Sequence, residues 1–135
     1  MGHNGIIQRK LAVLDKYLAQ LQHELENVDI KSFKNNWSQQ RMAERALQVM
    51  VEIVVDIAER IIALKNAGPT TTAAEAMEKL AELKVIRSVH PYINMVKFRN
   101  LIVHKYEEID PEIVFNIAKN KLENFRQFRD EIDKL

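Results

Sequence analysis

Arg99, Asn100, His104 and Tyr106 fall within the single stretch FRNLIVHKY, residues 98–106, and the first three suit work on a phosphodiester. Arg presents a planar fork of donors that matches a phosphate, and the charge that develops as a phosphate is attacked. An unperturbed His titrates near about 6.5, so it can exchange a proton with a ribose 2′-hydroxyl or a leaving oxygen at neutral pH. Asn100 can orient either group. No His-x3-His or His/Asp ligand spacing accompanies them, so no metal and no cofactor is expected. A structural reading stands beside the catalytic one: an Arg and a His near a helix end also serve as a salt-bridged cation and as a charge favoured by the helix dipole. The residue types and their spacing leave both open.

The elements that must position these groups are helices. Ile7, Leu11, Leu14, Leu18, Leu21 and Leu25 step by three and four, an apolar stripe on a first helix of roughly six turns. Leu47, Met50, Val54, Ile57, Ile61 and Leu64 repeat the step on a second. Ser38 is placed to cap that second helix, with Trp37 and Met42 as a hydrophobic staple, and Gly68-Pro69 to end it. Thr72 and Glu75 form a capping box that opens a shorter helix to about Leu83. Ser88 should cap the next helix, with Pro91 in its first turn; Asp110-Pro111 should open a last one, with Ile113, Ile117, Leu122, Phe125, Phe128 and Ile132 facing inward. The expected architecture is all-α, an up-and-down bundle of about four long helices plus a short one, in a single domain over residues 1–135.

On the helix that carries it, Arg99 has Met95, Val96, Ile102 and Val103 as neighbours three and four residues away. A guanidinium ringed by apolar side chains is expensive unless it is paired or reaches a wet cleft. Asn100 and His104 are one turn apart and nearly aligned, and Arg99 and Tyr106 are about two turns apart. The four polar groups therefore describe an arc around one helix end rather than a line.

Composition narrows the classes of function. The 135 residues carry a net charge of +1, 47% hydrophobic and 29% charged residues, and no cysteine. That excludes disulfides, thiolate catalysis and cysteine-ligated metals, and leaves nucleic-acid binding to a local patch rather than a broad basic surface. Lys97 and Lys105 flank the arc and, with Arg87 and Arg99, make a cationic cluster that could contact RNA; ordinary snorkelling lysines are the alternative. Met50 to Leu64 is the most apolar segment, but Glu52, Asp56, Glu59 and Arg60 make it a poor membrane span. The opening MGHNG does not look like a targeting signal, so a cytoplasmic protein is expected. His3, His23, Trp37 and Tyr17 read as surface, staple or packing residues, and His90 and Tyr92 as packing or capping groups without a chemical role.

The segment MVKFRNLIVHKY, followed by EEIDPEIVFNIAKNKLENF, resembles the signature of the HepT-like branch of the HEPN superfamily, whose motif is Arg-x4-His-x-Tyr. Arg99, His104 and Tyr106 match it, with the frequent Asn at Asn100. RMAERALQVMVEIVVDIAERII resembles that branch's second long helix, including the Asp at Asp56, so the likeness covers nearly the whole chain. The resemblance implies an all-α homodimer with two copies of the motif in a cleft at the interface. It implies metal-independent endoribonuclease activity and the role of toxin in a toxin–antitoxin pair. The partner it implies is a minimal nucleotidyltransferase that adds AMP to the motif Tyr and silences the toxin. Carried over, Arg99 stabilises the phosphate, His104 is the acid/base group and Tyr106 is the modification site. Asp56 then has two readings, a carboxylate that holds Arg99 or a member of the solvated stripe Arg45, Gln48, Glu52, Asp56, Glu59. The alternative function is a non-catalytic helical partner, or nucleotide-binding module, of the nucleotidyltransferase. A purely structural bundle leaves the motif and its context unexplained.

Overall fold

Ile7, Leu11, Leu14, Leu18, Leu21 and Leu25 are all buried, along one face of the first helix, α1 (Gly5–Leu25). In the computed structural model, which describes residues 5–104 and 109–135 and the backbone alone at 103 and 104, α1 is followed by six more helices. They are α2 (Ile30–Lys34), α3 (Trp37–Leu64), α4 (Ala73–Glu82), α5 (His90–His104), α6 (Pro111–Asn120) and α7 (Leu122–Asp133), and the described residues include no strand. The all-α bundle expected from periodicity is what the chain forms. Helix α3 is its axis and packs against all six other helices. Its apolar residues explain why: Val51, Ile53, Val54, Val55, Ile57 and Ala58 are all buried, which is burial nearly all round, where α1 buries one stripe.

Helix ends differ from the sequence reading in instructive ways. Helix α3 starts two residues early, because Asn36 is its N-cap and accepts from the Gln39 N–H at 2.9 Å, so Ser38 is not the cap. Trp37 is 62% exposed and packs under the Arg41 guanidinium at 5.5 Å rather than stapling the turn. The C-terminus of α3 needs no glycine. Asn66 takes φ 54°, and the Ala67 N–H to Ile62 O (2.9 Å) and Asn66 N–H to Ala63 O (3.1 Å) bonds close a Schellman motif before Gly68 is reached. Lys84 (φ 61°) closes α4 the same way, with Val85 N–H on Leu80 O.

The Thr72 cap on Glu75 N–H (3.0 Å) forms as read; the Glu75 carboxylate, however, accepts from Thr71. Ser88 Oγ accepts from the His90 N–H at 3.3 Å at the mouth of α5. Asp110 caps α6, with Pro111 in its first turn. The single last helix expected from Asp110 onward is two, divided at Lys121, with Val114 and Ala118 inward and Ile113 45% exposed. No Gly or Pro marks that division. Helix α6 is set by contacts across the bundle: Lys119 Nζ donates to Leu25 O at the end of α1 (2.7 Å), and Phe115 meets Phe33 with ring centroids 5.1 Å apart.

Helix α5 is fixed at its first turn. Tyr92 is fully buried, meets Phe128 of α7 edge-on at 5.5 Å, and donates its hydroxyl to Glu131 Oε1 at 2.6 Å. The other oxygen of Glu131 accepts from the Arg87 N–H at 2.8 Å, so one carboxylate ties both α5 and the chain leading into it to α7. Tyr92 thus packs, as its sequence context suggested. Burial, joined by that bond, holds its hydroxyl well above a tyrosine's ordinary 10.0. A raised folded-state value means stability fully present below the unfolded value and lost as pH rises past it. Denaturant midpoints should therefore fall more steeply above pH 10 in the wild type than in Tyr92→Phe; parallel curves would contradict the bond.

Candidate functional site

Tyr92, Val96 and Arg99 are spaced by four and three and share a face of α5. Tyr92 and Val96 are buried, and Arg99 continues their stripe at half-burial, while Lys97 and Asn100 are exposed, Asn100 about 100° round the helix from Arg99. The arc read from the sequence is thus divided: Arg99 leaves from the inner face, Lys97 and Asn100 from the outer one. The backbone of His104 ends α5 one turn beyond Asn100. The side chain of His104, and all of Lys105 and Tyr106, lie outside the described residues.

The electrostatics centre on Arg99. Its Nε is buried with no hydrogen-bond partner among the described residues. A buried unpaired donor on a charged group is among the more destabilising features a bundle can carry. Of the two readings of Asp56, the bond to Arg99 is not formed. Asp56 is 56% exposed and pairs instead with Lys10 of α1 at 3.3 Å, which is the solvated-stripe reading. Position 56 faces outward because its neighbours Val55, Ile57 and Ala58 take the buried directions of α3. Exposed pairs of this kind contribute about 0–1 kcal/mol. Asp56→Ala should therefore cost no more than about 1 kcal/mol of stability in urea denaturation, and a loss of several kcal/mol would restore the Asp56–Arg99 coupling.

Arg87 does not join a cationic cluster with Arg99. It precedes α5, whereas Arg99 lies nine residues beyond His90, roughly 13 Å along the axis. Among the described residues no three His, Asp or Glu side chains gather as metal ligands, and no helix is long and apolar enough to cross a membrane. The apolar surroundings read for Arg99 from the sequence are what the structure shows, with its Nε buried on the stripe that Tyr92 and Val96 begin.

The all-helical bundle has the HEPN fold, as its likeness to a solved toxin shows. The chain superimposes on a tri-AMPylated Shewanella oneidensis HEPN toxin in complex with MNT antitoxin with a TM-score of 0.90, at 27% identity over 98% of this chain and 100% of that one. More narrowly, the chain belongs to the ribonuclease HepT-like family, whose model matches residues 14–132. It is 29% identical to an mRNA nuclease HepT of Shewanella oneidensis over 96% of this chain and 97% of that protein. It is 27% identical to a tRNA nuclease HepT of Aphanizomenon flos-aquae over 89% of this chain and 82% of that protein.

Proposed function

We propose that this protein is the ribonuclease toxin of a toxin–antitoxin pair, cutting RNA without a metal at a site completed by a second copy of the chain. The observation that supports the reading is Arg99, whose buried Nε meets no acceptor among the described residues. An oxygen of a scissile phosphate is the acceptor its fork of donors suits. In the proposed reaction the ribose 2′-hydroxyl attacks the adjacent phosphorus and the 5′-oxygen leaves, giving a 2′,3′-cyclic phosphate. His104 moves the proton, as base toward the 2′-hydroxyl or as acid toward the leaving oxygen. Arg99 neutralises the charge that builds on the phosphate oxygens. Asn100, exposed one turn before His104, orients either group, and Lys97 and Lys105 contact the RNA backbone. Two facing arcs supply one imidazole for each proton transfer.

Two relatives are named as nucleases of different RNA classes, mRNA and tRNA, and both names are consistent with this chemistry. Incubation of the purified protein with RNA in EDTA tests the reading. It should yield fragments ending in cyclic phosphate, and intact RNA under every condition would leave the non-catalytic helical partner as the better account.

The antitoxin of the proposed pair is a minimal nucleotidyltransferase, supported by the MNT antitoxin bound to the Shewanella toxin. It would direct the Tyr106 phenol oxygen onto the α-phosphorus of ATP, transferring AMP and releasing pyrophosphate. The added phosphate would set a negative charge beside Arg99 and His104, where the RNA phosphate must bind. With that partner and ATP, the wild type should gain the mass of AMP and lose cleavage, while Tyr106→Phe gains none and keeps cutting. Equal modification of Tyr106→Phe would move the site elsewhere.

A further inference from the structure

Between α5 and the bundle, on the α5 stripe next to the one that carries Arg99, lies a cleft enclosing about 140 Å³, several times the ~30 Å³ that a water occupies in the liquid. Its walls are apolar, from Met95 and Phe98 of α5 and Phe125 of α7, and its polar groups are Asn94, Asn124 and Lys121. None of those three side chains forms a hydrogen bond or ion pair with another described residue, in a molecule where neighbouring polar groups such as Asn116 and Asn120 do pair. An apolar cleft with two free carboxamides suits a nucleobase: the walls pack against its faces and each carboxamide offers a donor and an acceptor to its edge.

The position fits as well. Met95, which lines the cleft, is one turn before Arg99 on the same side of α5. Helical side chains lean toward the N-terminus, so Arg99 and Met95 cover adjoining surface. Phe98 precedes Arg99 directly. A phosphate held at Arg99 would thus lie about one turn of α5 from the cleft wall at Met95.

We infer that this cleft is a base-recognition subsite, taking the nucleobase beside the scissile phosphate and setting where the RNA is cut. The inference rests on the ribonuclease reading for its role in cleavage, but base binding can be measured apart from it. Isotope-labelled protein titrated with AMP, GMP, CMP and UMP should show side-chain amide shifts at Asn94 and Asn124 for at least one nucleotide. Ribose 5-phosphate should leave them in place. Equal shifts with ribose 5-phosphate, or none with any nucleotide, would overturn the inference.

Sequencing the cut ends of a randomised RNA pool then reads the role in cleavage. The wild type should favour one base beside the cut, and Asn94→Ala and Asn124→Ala, with unchanged helical circular dichroism, should each reduce that preference by roughly tenfold, the worth of one hydrogen bond. Unbiased cutting by the wild type, or bias unaltered in both variants, would overturn it. If the wild type cuts no RNA at all, the ribonuclease reading fails and the nucleotide titration alone decides the subsite.

Discussion

His104→Ala and Arg99→Ala should each abolish detectable RNA cleavage, a loss of at least about 10²-fold from removal of an acid/base group or of a charge that stabilises the transition state. The two variants should differ in stability in a way that an ordinary structural arginine would not show. Arg99 sits on the inner stripe of α5 with Tyr92 and Val96, and its Nε has no partner among the described residues. Removing it takes away a buried, uncompensated donor together with some apolar packing of its stem. Arg99→Ala should therefore unfold at a denaturant concentration no lower than wild type, although it is inactive. A marked destabilisation would instead mark Arg99 as part of the structural frame, and full cleavage by either variant would remove that residue from the chemistry. Function here keeps a group that the fold alone would not select.

Phe128→Ala should have the largest effect on stability, about 3–5 kcal/mol, because it empties a ring-sized volume in a close-packed interior. Phe128 has no exposed surface and meets Tyr92 edge-on at 5.5 Å. Its loss also loosens the α5–α7 contact that fixes the start of the site helix, where Glu131 holds both Tyr92 and the Arg87 N–H. Urea denaturation followed by circular dichroism measures the change, and a loss below about 1 kcal/mol would mean that α7 does not anchor α5. A small domain is stable by about 5–15 kcal/mol in all, so this variant should also lose cleavage on mild heating before the wild type does.

How much of this was legible in the sequence depends on the scale of the signal. The stripe from Ile7 to Leu25 and the run from Leu47 to Leu64 repeat over many turns, and both became helices with those faces buried or largely so. Caps with a polar side chain at the expected spacing, Thr72 and Asp110, formed where they were read. Helix α2, five residues long, is too short for any period to show. It is held by Asp29 on the Ser32 N–H and by Gln40, which donates to the carbonyls of Phe33 and Lys34 from outside the helix. The helix ends at Asn66 and Lys84 depend on left-handed conformations that those residue types adopt only occasionally. The division at Lys121 has no local mark, since the inward residues Val114, Ala118, Leu122 and Phe125 continue one helical period across it.

At the site, residue types and spacing identified the arc but not its two sides. Arg99 faces in and Asn100 faces out because the helix turns by about 100° between them, and the packing of Tyr92 and Val96 decides which direction is inward. Asp56 was ambiguous for the same reason: its ionic partner, Lys10, lies 46 residues away on another helix. The groups lining the cleft between α5 and α7 drew no attention in the sequence, because Asn94, Lys121 and Asn124 come together only when those helices pack.

The central claim is that each chain carries half of a site, and the absence of cysteine makes it directly measurable. In His104→Cys the introduced thiol is the single reactive sulfhydryl of each chain, so a short bifunctional thiol crosslinker reports on the distance between the two copies of position 104. Facing arcs should give a covalently linked dimer in high yield at low protein concentration, and saturating RNA should protect it from linkage. A species shown by light scattering to be a dimer that stays unlinked would place the two positions apart, and would contradict the composite site.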